Sequence, residues 1–133
     1  MNSAQKPLCA SPPAPVLIDW SRLDQFREFD DEALTMTQEV LMLFVGEAPQ
    51  QIDDIHRALA TCDSAALSRS AHALKGAASN VGAQALSEAC ALLEQACQQG
   101  RWPADASGQI EQITVFGHLT CQSLKAWTIA QNA

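Results

Sequence analysis

The apolar residues of this chain recur mostly at spacings of three and four, which is typical of helices that bury one face. The clearest stripe has spacings of 4, 3, 4 and 3 and consists of Leu67, Ala71, Leu74, Ala78 and Val81. At about 100° per residue, His72 points roughly 140° away from the centre of this stripe. The pattern therefore predicts a helix that buries the stripe and holds His72 in water.

The same periodicity predicts further helices around this one. A short helix from Asp19 to Phe29, capped by Asp19, precedes a long helix that is bent at Pro49. This long helix is Asp31–Ala60. The other predicted helices are Ser64–Asn80, Ala83–Gln99 and one that begins at Pro103. The predicted fold class is all-α: an antiparallel up-down four-helix bundle with a short additional N-terminal helix.

Local signals set the ends of these helices. The acidic run Asp30–Asp31–Glu32 is interpreted as a helix cap rather than a metal site. Asp63 or Ser64 caps the His72 helix, and Gly82 ends it in the left-handed conformation. The four prolines in residues 1–16 predict a flexible N-terminal tail, and residues 17–133 are predicted to form one helical-bundle domain.

The charge balance excludes some classes of partner. The net charge is -7, with 8 Lys and Arg against 15 Asp and Glu, so a phosphate backbone would be repelled and no nucleic acid is expected. The longest apolar run, Val40 to Val45, is far shorter than the ~20 residues that cross a bilayer. We therefore expect a cytoplasmic protein that does not bind a membrane. A monomer is also expected.

The five cysteines do not form a recognisable metal site, because no CxxC pair occurs. Cys90 and Cys97 are seven residues apart and share one helix face, as small core residues would. No resident metal or cofactor is predicted.

His72 has neighbours that suit phosphoryl chemistry. A neutral imidazole has one nitrogen lone pair free to attack phosphorus, while the other nitrogen carries a proton. Lys75 lies one turn further along, where its ammonium can approach a phosphoryl group. Gly76 leaves an open spot where another protein could approach, although glycine costs about 1 kcal/mol in a helix.

The stretch resembles the signature of histidine-containing phosphotransfer (HPt) domains, and the likeness covers roughly residues 19–130. The matching residues near the histidine are Ala71-His72-x-Leu74-Lys75-Gly76, Ser79-Asn80-x-Gly82-Ala83, Leu86 and Leu93-Glu94. The preceding helix and turn match at Leu43-Phe44, Glu47-Ala48-Pro49, Asp63 and Ala66-Leu67.

The resemblance implies a phosphorelay intermediate that carries a phosphoryl group on His72 between aspartates of receiver domains. These receivers would belong to a hybrid sensor histidine kinase or to response regulators, and any Mg²⁺ would be held by the receiver. The resemblance further implies that Lys75, Glu94 and Gln98 support the phosphate or the imidazole. Partner docking is expected at Ser68, Gly76, Ala77, Ser79 and Asn80. The chain would be a carrier without turnover of its own, and thus not an enzyme.

Two other hypotheses stay open on the sequence alone. The first is a helical interaction module that binds receivers without being phosphorylated, against which the intact His72, Lys75 and Gly76 argue. The second is a metal- or haem-binding bundle that uses His56, His72 or His118 with cysteines. No two of these histidines have the i, i+4 spacing that one helix face requires for two ligands.

Overall fold

The computed structural model describes residues 16–97 and 102–132, in which five helices and no strands occur. The helices are α1 (Ser21–Arg27), α2 (Thr35–Ala60), α3 (Ser64–Asn80), α4 (Gln84–Cys97) and α5 (Ala106–Gln131). Both α2 and α4 pack against α3 and against α5, and α1 contacts α2. The predicted all-α four-helix bundle with a short additional N-terminal helix is confirmed. The predicted tail lies outside the described residues except for Val16.

The bundle core is filled from all four long helices. The stripe predicted to be buried on α3 is at most 1% exposed at each of its five positions. Its partners are large side chains that are also fully buried: Leu41, Ile55, Leu86, Leu93, Ile110, Ile113 and Leu124. Because the stripe fixes the rotation of α3 about its axis, the opposite side of α3 must face solvent.

The acidic run before α2 does act as a cap, but α2 begins at Thr35, four residues later than predicted. The Asp30 carboxylate accepts hydrogen bonds from the Met36 and Thr37 amides at 3.1 and 2.7 Å and from the Thr37 hydroxyl at 2.6 Å. Burial acts to raise the pKa of Asp30, but these bonds outweigh it and lower the pKa to about 2. Leu34 takes the left-handed conformation with φ 57°, which separates the capping turn from the helix.

Three other predicted ends need correction. The α1 helix begins at Ser21 because the Asp19 carboxylate binds the Ser21 amide at 3.1 Å, which forms a turn before the helix rather than a cap on it. The α5 helix begins at Ala106, not at Pro103, because a turn intervenes and the Asp105 carboxylate fills the space over Gly108. The α4 helix begins at Gln84, one residue after the predicted start at Ala83.

Both ends of α3 agree with the sequence. The Asp63 side chain accepts a hydrogen bond from the Ala66 amide at 3.0 Å, so Asp63 rather than Ser64 is the cap. Gly82 has φ 77°, as predicted for a glycine after a helix. A side chain there would place its Cβ 2.6 Å from the Asp19 carbonyl oxygen, so the segment leading into α1 packs directly against this glycine. Pro49 lies within α2, which continues through it without a break.

Candidate functional site

His72 projects from the solvent side of α3, with its side chain 66% exposed. Ala71 and Leu74, on either side of it in the sequence, are fully buried and hold the helix against the core. The predicted outward orientation of His72 is therefore confirmed, and the ring is presented from a rigid element.

Glu94 of α4 joins two side chains of α3. Its carboxylate Oε2 lies 2.7 Å from His72 Nδ1, and its Oε1 accepts a hydrogen bond from Lys75 Nζ at 2.6 Å. Only 8% of Glu94 is exposed, so the carboxylate approaches the imidazole from the protein side. The antiparallel hairpin thus brings Glu94 level with the middle of α3, at His72 and Lys75, and not with its first half as predicted. Gln98, expected beside it, lies outside the described residues.

The charges in this cluster decide which nitrogen of His72 carries the proton. The hydrogen bond from Lys75 lowers the pKa of Glu94 below its usual range, against the opposing effect of burial, and His72 adds to the lowering. An ionised carboxylate has no proton to donate, so His72 Nδ1 must be the donor. A neutral imidazole then keeps its lone pair on Nε2, the nitrogen furthest from Glu94.

The ammonium of Lys75 binds Glu94, and the Lys75 side chain is 33% exposed. The approach of this ammonium to an incoming phosphoryl group stays a prediction. Sequence patterns on a single helix do not reveal this pair, because its two members lie on different helices, 19 residues apart. Lys75 thereby keeps the carboxylate ionised beside the imidazole.

Gly76 leaves open space next to the histidine. Beyond the neighbouring backbone of α3 itself, a Cβ built on Gly76 meets no atom of the described residues within 4 Å, so none of them occupies the surface at that point. Ser68 and Ala77 are half-buried, and Ala77 also packs against the core. Of these three residues, Gly76 gives a partner the freest approach to α3.

The side chains of Ser79 and Asn80 are already engaged within the protein. The Ser79 hydroxyl lies 2.7 Å from the hydroxyl of Ser87 on α4. Arg22 of α1 donates from Nε to the Asn80 carbonyl at 3.1 Å and from a terminal nitrogen to Asn80 Oδ1 at 3.2 Å. Asn80 therefore attaches α1 to the end of α3, a contact that the sequence analysis missed because it joins residues 58 apart.

The other histidines lie away from this cluster. His56 Nε2 is 2.9 Å from Thr114 Oγ1 on α5, and His118 lines a shallow cleft between α2 and α5. Within residues 16–97 and 102–132, no three His, Cys, Asp or Glu side chains are placed to hold a metal ion. Burial raises the pKa of the Cys90 thiol to about 12, which leaves it unreactive at neutral pH. In the same ranges, no helix has the length and apolar character to span a bilayer.

Comparison with known proteins links this geometry to one family. Residues 39–116, which include α3 and most of α2, match the profile of the Hpt domain. Histidine-containing phosphotransfer protein 2 of Arabidopsis thaliana is 34% identical over an alignment of 82 residues, with coverage of 56% of this chain and 53% of that protein. The chain thus spans about half the length of the curated relative it matches.

Two solved structures share the fold. One is histidine-containing phosphotransfer protein B from Pseudomonas aeruginosa PAO1, with a TM-score of 0.77 and 26% identity over 86% of this chain and 96% of that one. The other is the HPT domain of an Hpt sensor hybrid histidine kinase from Shewanella, with a TM-score of 0.74 over 88% and 97% of the two chains. At 18% identity, the second likeness concerns the fold alone. Since the family profile matches more than half of the chain and includes His72, this protein belongs to the Hpt domain family.

Proposed function

We propose that this protein carries a phosphoryl group on His72 between the aspartates of receiver domains in a two-component phosphorelay. The observation that supports this most directly is the 2.7 Å contact between His72 Nδ1 and the Glu94 carboxylate. It fixes the proton on the inner nitrogen and leaves Nε2 as a nucleophile on an exposed ring. Membership of the Hpt family is in keeping with this role.

The transfer step needs no redox partner. Nε2 attacks the phosphorus of an aspartyl phosphate, and the new N–P bond forms as the P–O bond breaks and the aspartate carboxylate leaves with the electron pair. The imidazole then bears positive charge, which the Glu94 carboxylate faces at hydrogen-bond distance. The reverse step hands the group to the aspartate of a second receiver. We propose that any Mg²⁺ is held by the receiver domain and that this chain holds no cofactor.

The remaining site residues have supporting roles in this proposal. Lys75 keeps Glu94 ionised and, by rotation of its flexible stem, would offset charge on the phosphoryl group. Gln98, which lies outside the described residues, is proposed as a second polar support. Docking would use the exposed backbone at Gly76 together with Ser68 and Ala77, and the rim formed by Ser79 and Asn80.

In this role the protein is a phosphoryl carrier, because it returns to its starting state only when a second protein removes the phosphoryl group. Receiver domains of a hybrid sensor histidine kinase or of response regulators are the proposed partners, and the cytoplasm is the proposed location. Signalling contacts of this kind are small, at the low end of about 1,200–2,000 Å². Binding by a few apolar and small side chains would change only modestly with salt.

Transfer from a chemically phosphorylated receiver domain tests the proposal. The wild-type protein should gain a label that is lost in acid and kept in base, and His72→Gln should gain none. The exposed position of His72 predicts unchanged helicity and melting temperature for that variant. His56→Gln and His118→Gln are matched controls that should accept the label normally. Label on either of those histidines would contradict the assignment, and receiver binding without any label would identify a non-phosphorylated interaction module instead.

A further inference from the structure

The outer face of α5 has an apolar seam that the phosphotransfer site does not use. Its members are spaced 4, 3, 4 and 3 and are all exposed: Val115, Leu119, Gln122, Ala126 and Ile129. The three large aliphatic side chains among them are 45%, 41% and 70% exposed. Since α5 also buries Ile110, Ile113 and Leu124, it is apolar on two sides. A 4-3 repeat of this kind is the pattern of a two-stranded coiled-coil seam, with Gln122 as the polar member that sets register.

The charge distribution indicates what kind of partner this seam fits. The chain has a net charge of -7, so two copies repel each other over most of their surface. Residues 112–124 of α5 contain no Asp, Glu, Lys or Arg, although fifteen acidic residues occur in the chain. The α5 seam is therefore a surface on which two copies of this acidic protein can meet with little repulsion.

Two residues of opposite charge border the uncharged stretch. Glu111 and Lys125 are both exposed, and neither belongs to an ion pair within the described ranges. They lie two turns on either side of His118, on the same flank of the seam. Such an arrangement is self-complementary only if the partner helix runs in the opposite direction.

We infer that the outer face of α5 binds α5 of a second copy of this chain in an antiparallel, two-fold symmetric pair. An axis level with Gly117 brings Val115 of one copy opposite Leu119 of the other, and Gln112 opposite Gln122. The same register brings Glu111 within reach of Lys125 on the second copy, on both sides of the axis. Ile129 lies at the margin of this contact.

The pair leaves both phosphotransfer sites open. Because α5 packs against α2 and α4, it lies diagonally across the bundle from α3. His72 of each copy therefore faces outward, away from the axis. The contact rests on one helix per copy and buries less than the roughly 1,200 Å² of stable complexes. Association is accordingly weak, and the expected monomer prevails at low protein concentration.

Sedimentation velocity over a concentration series up to about 1 mM tests this inference in low salt. The wild-type protein should shift from monomer towards dimer, and Leu119→Glu should remain monomeric at every concentration. Leu43→Glu is the matched control, since Leu43 is an exposed leucine, 62% accessible, on α2. It should associate like the wild type. Circular dichroism on each variant confirms that the helices are intact.

Charge exchange tests the register itself. Glu111→Lys or Lys125→Glu alone should weaken association by roughly three- to tenfold, because symmetry places a like-charged pair at two points. The double variant with both changes should restore it. A wild-type protein that stays monomeric at the highest concentration, or a double variant that is not restored, overturns the inference. Binding to phosphatidylcholine vesicles that Leu119→Glu abolishes would assign the seam to a lipid surface and overturn it as well.

Discussion

His72 and His56 form an instructive pair, because both are exposed histidines on long helices with one ring nitrogen bonded to a neighbouring helix. At His72 the partner is the Glu94 carboxylate, which lies 2.7 Å from Nδ1. At His56 the partner is the Thr114 hydroxyl, which lies 2.9 Å from Nε2. Both rings are exposed, but they differ in the acceptor and in the ring nitrogen that it bonds.

The difference decides which nitrogen each ring offers to a reactant. The Thr114 hydroxyl donates its single proton to the Ile110 carbonyl at 2.9 Å, so it accepts from His56 Nε2. The lone pair of His56 is then on Nδ1. This nitrogen is bonded to Cγ, the ring atom attached to Cβ, so the nearby backbone restricts access to it. At His72 the outer nitrogen is free, and a negative charge faces the ring from behind. An exposed histidine becomes a nucleophile here through the partner on its inner side.

The largest effect is expected when this inner partner is removed. Glu94→Ala should slow phosphoryl transfer to His72 by roughly 10- to 100-fold, by analogy with the loss of a carboxylate that orients a metal-ligating histidine. Glu94→Gln should fall between Glu94→Ala and the wild type, because an amide oxygen still accepts a hydrogen bond but bears no charge. Single-turnover transfer from a phosphorylated receiver measures both. Thr114→Val, which removes the acceptor of His56, is the control and should transfer at the wild-type rate.

Loss of Lys75 should have a smaller effect that depends on pH. Lys75 lowers the pKa of Glu94, so Lys75→Gln should raise that pKa. Transfer requires the ionised carboxylate and falls as pH drops through this pKa, so the variant should lose activity at a higher pH than the wild type. Transfer rates measured between pH 4 and 8 give the two profiles. Superimposable profiles would show that Lys75 does not control the ionisation of Glu94.

A matched pair of glycines separates docking from helix stability. At both Gly76 on α3 and Gly46 on α2, a built Cβ meets no atom of the described residues within 4 Å beyond the neighbouring backbone of its own helix. Gly76→Gln and Gly46→Gln should each stabilise the fold by about 0.5–1 kcal/mol, since glycine is a poor helix former. Only Gly76→Gln should raise the receiver concentration needed for half-maximal transfer, by a few-fold. Equal transfer by the two variants would remove Gly76 from the docking surface.

The smallest effect on transfer is expected at Asp30, although its pKa is also low. Its carboxylate caps α2, and its stabilising effect is fully present above the ordinary pKa of 3.8 and is lost as pH falls through about 2. Asp30→Asn should therefore lower the melting temperature at neutral pH and flatten its decline between pH 4 and 2. Transfer at neutral pH should be unchanged. A slowed transfer would mean that the start of α2 takes part in the site.

Much of the site's frame follows from the sequence because it depends on local spacing. The stripe on α3 determines that His72 faces outward, and a short antiparallel hairpin brings Glu94 beside it. Gly82 was predicted correctly, and Asp63 was one of the two caps predicted, because these roles depend on backbone conformation and on the first turn of one helix.

What the sequence did not reveal depends on contacts between distant segments. The hydrogen bond between Lys75 and Glu94 joins two helices. Arg22 and Asn80, which are also hydrogen-bonded, are 58 residues apart in the sequence. The spacing of apolar residues does not identify such pairs, because each side chain could reach several partners. The start of α5 was placed too early: Pro103 permits a helix start, but a turn at Ala104 and Asp105 delays it.

The contact between Asp19 and Gly82 also fixes the position at which the chain enters α1. The Asp19 amide donates to the Gly82 carbonyl at 2.7 Å, which holds the chain at the end of α3. His72 lies eight residues before that end, about 12 Å along the helix axis at 1.5 Å per residue. A receiver domain fused ahead of Val16 through a flexible linker would thus be tethered close to the histidine, at a millimolar effective concentration. In such a fusion, transfer would be intramolecular and independent of protein concentration.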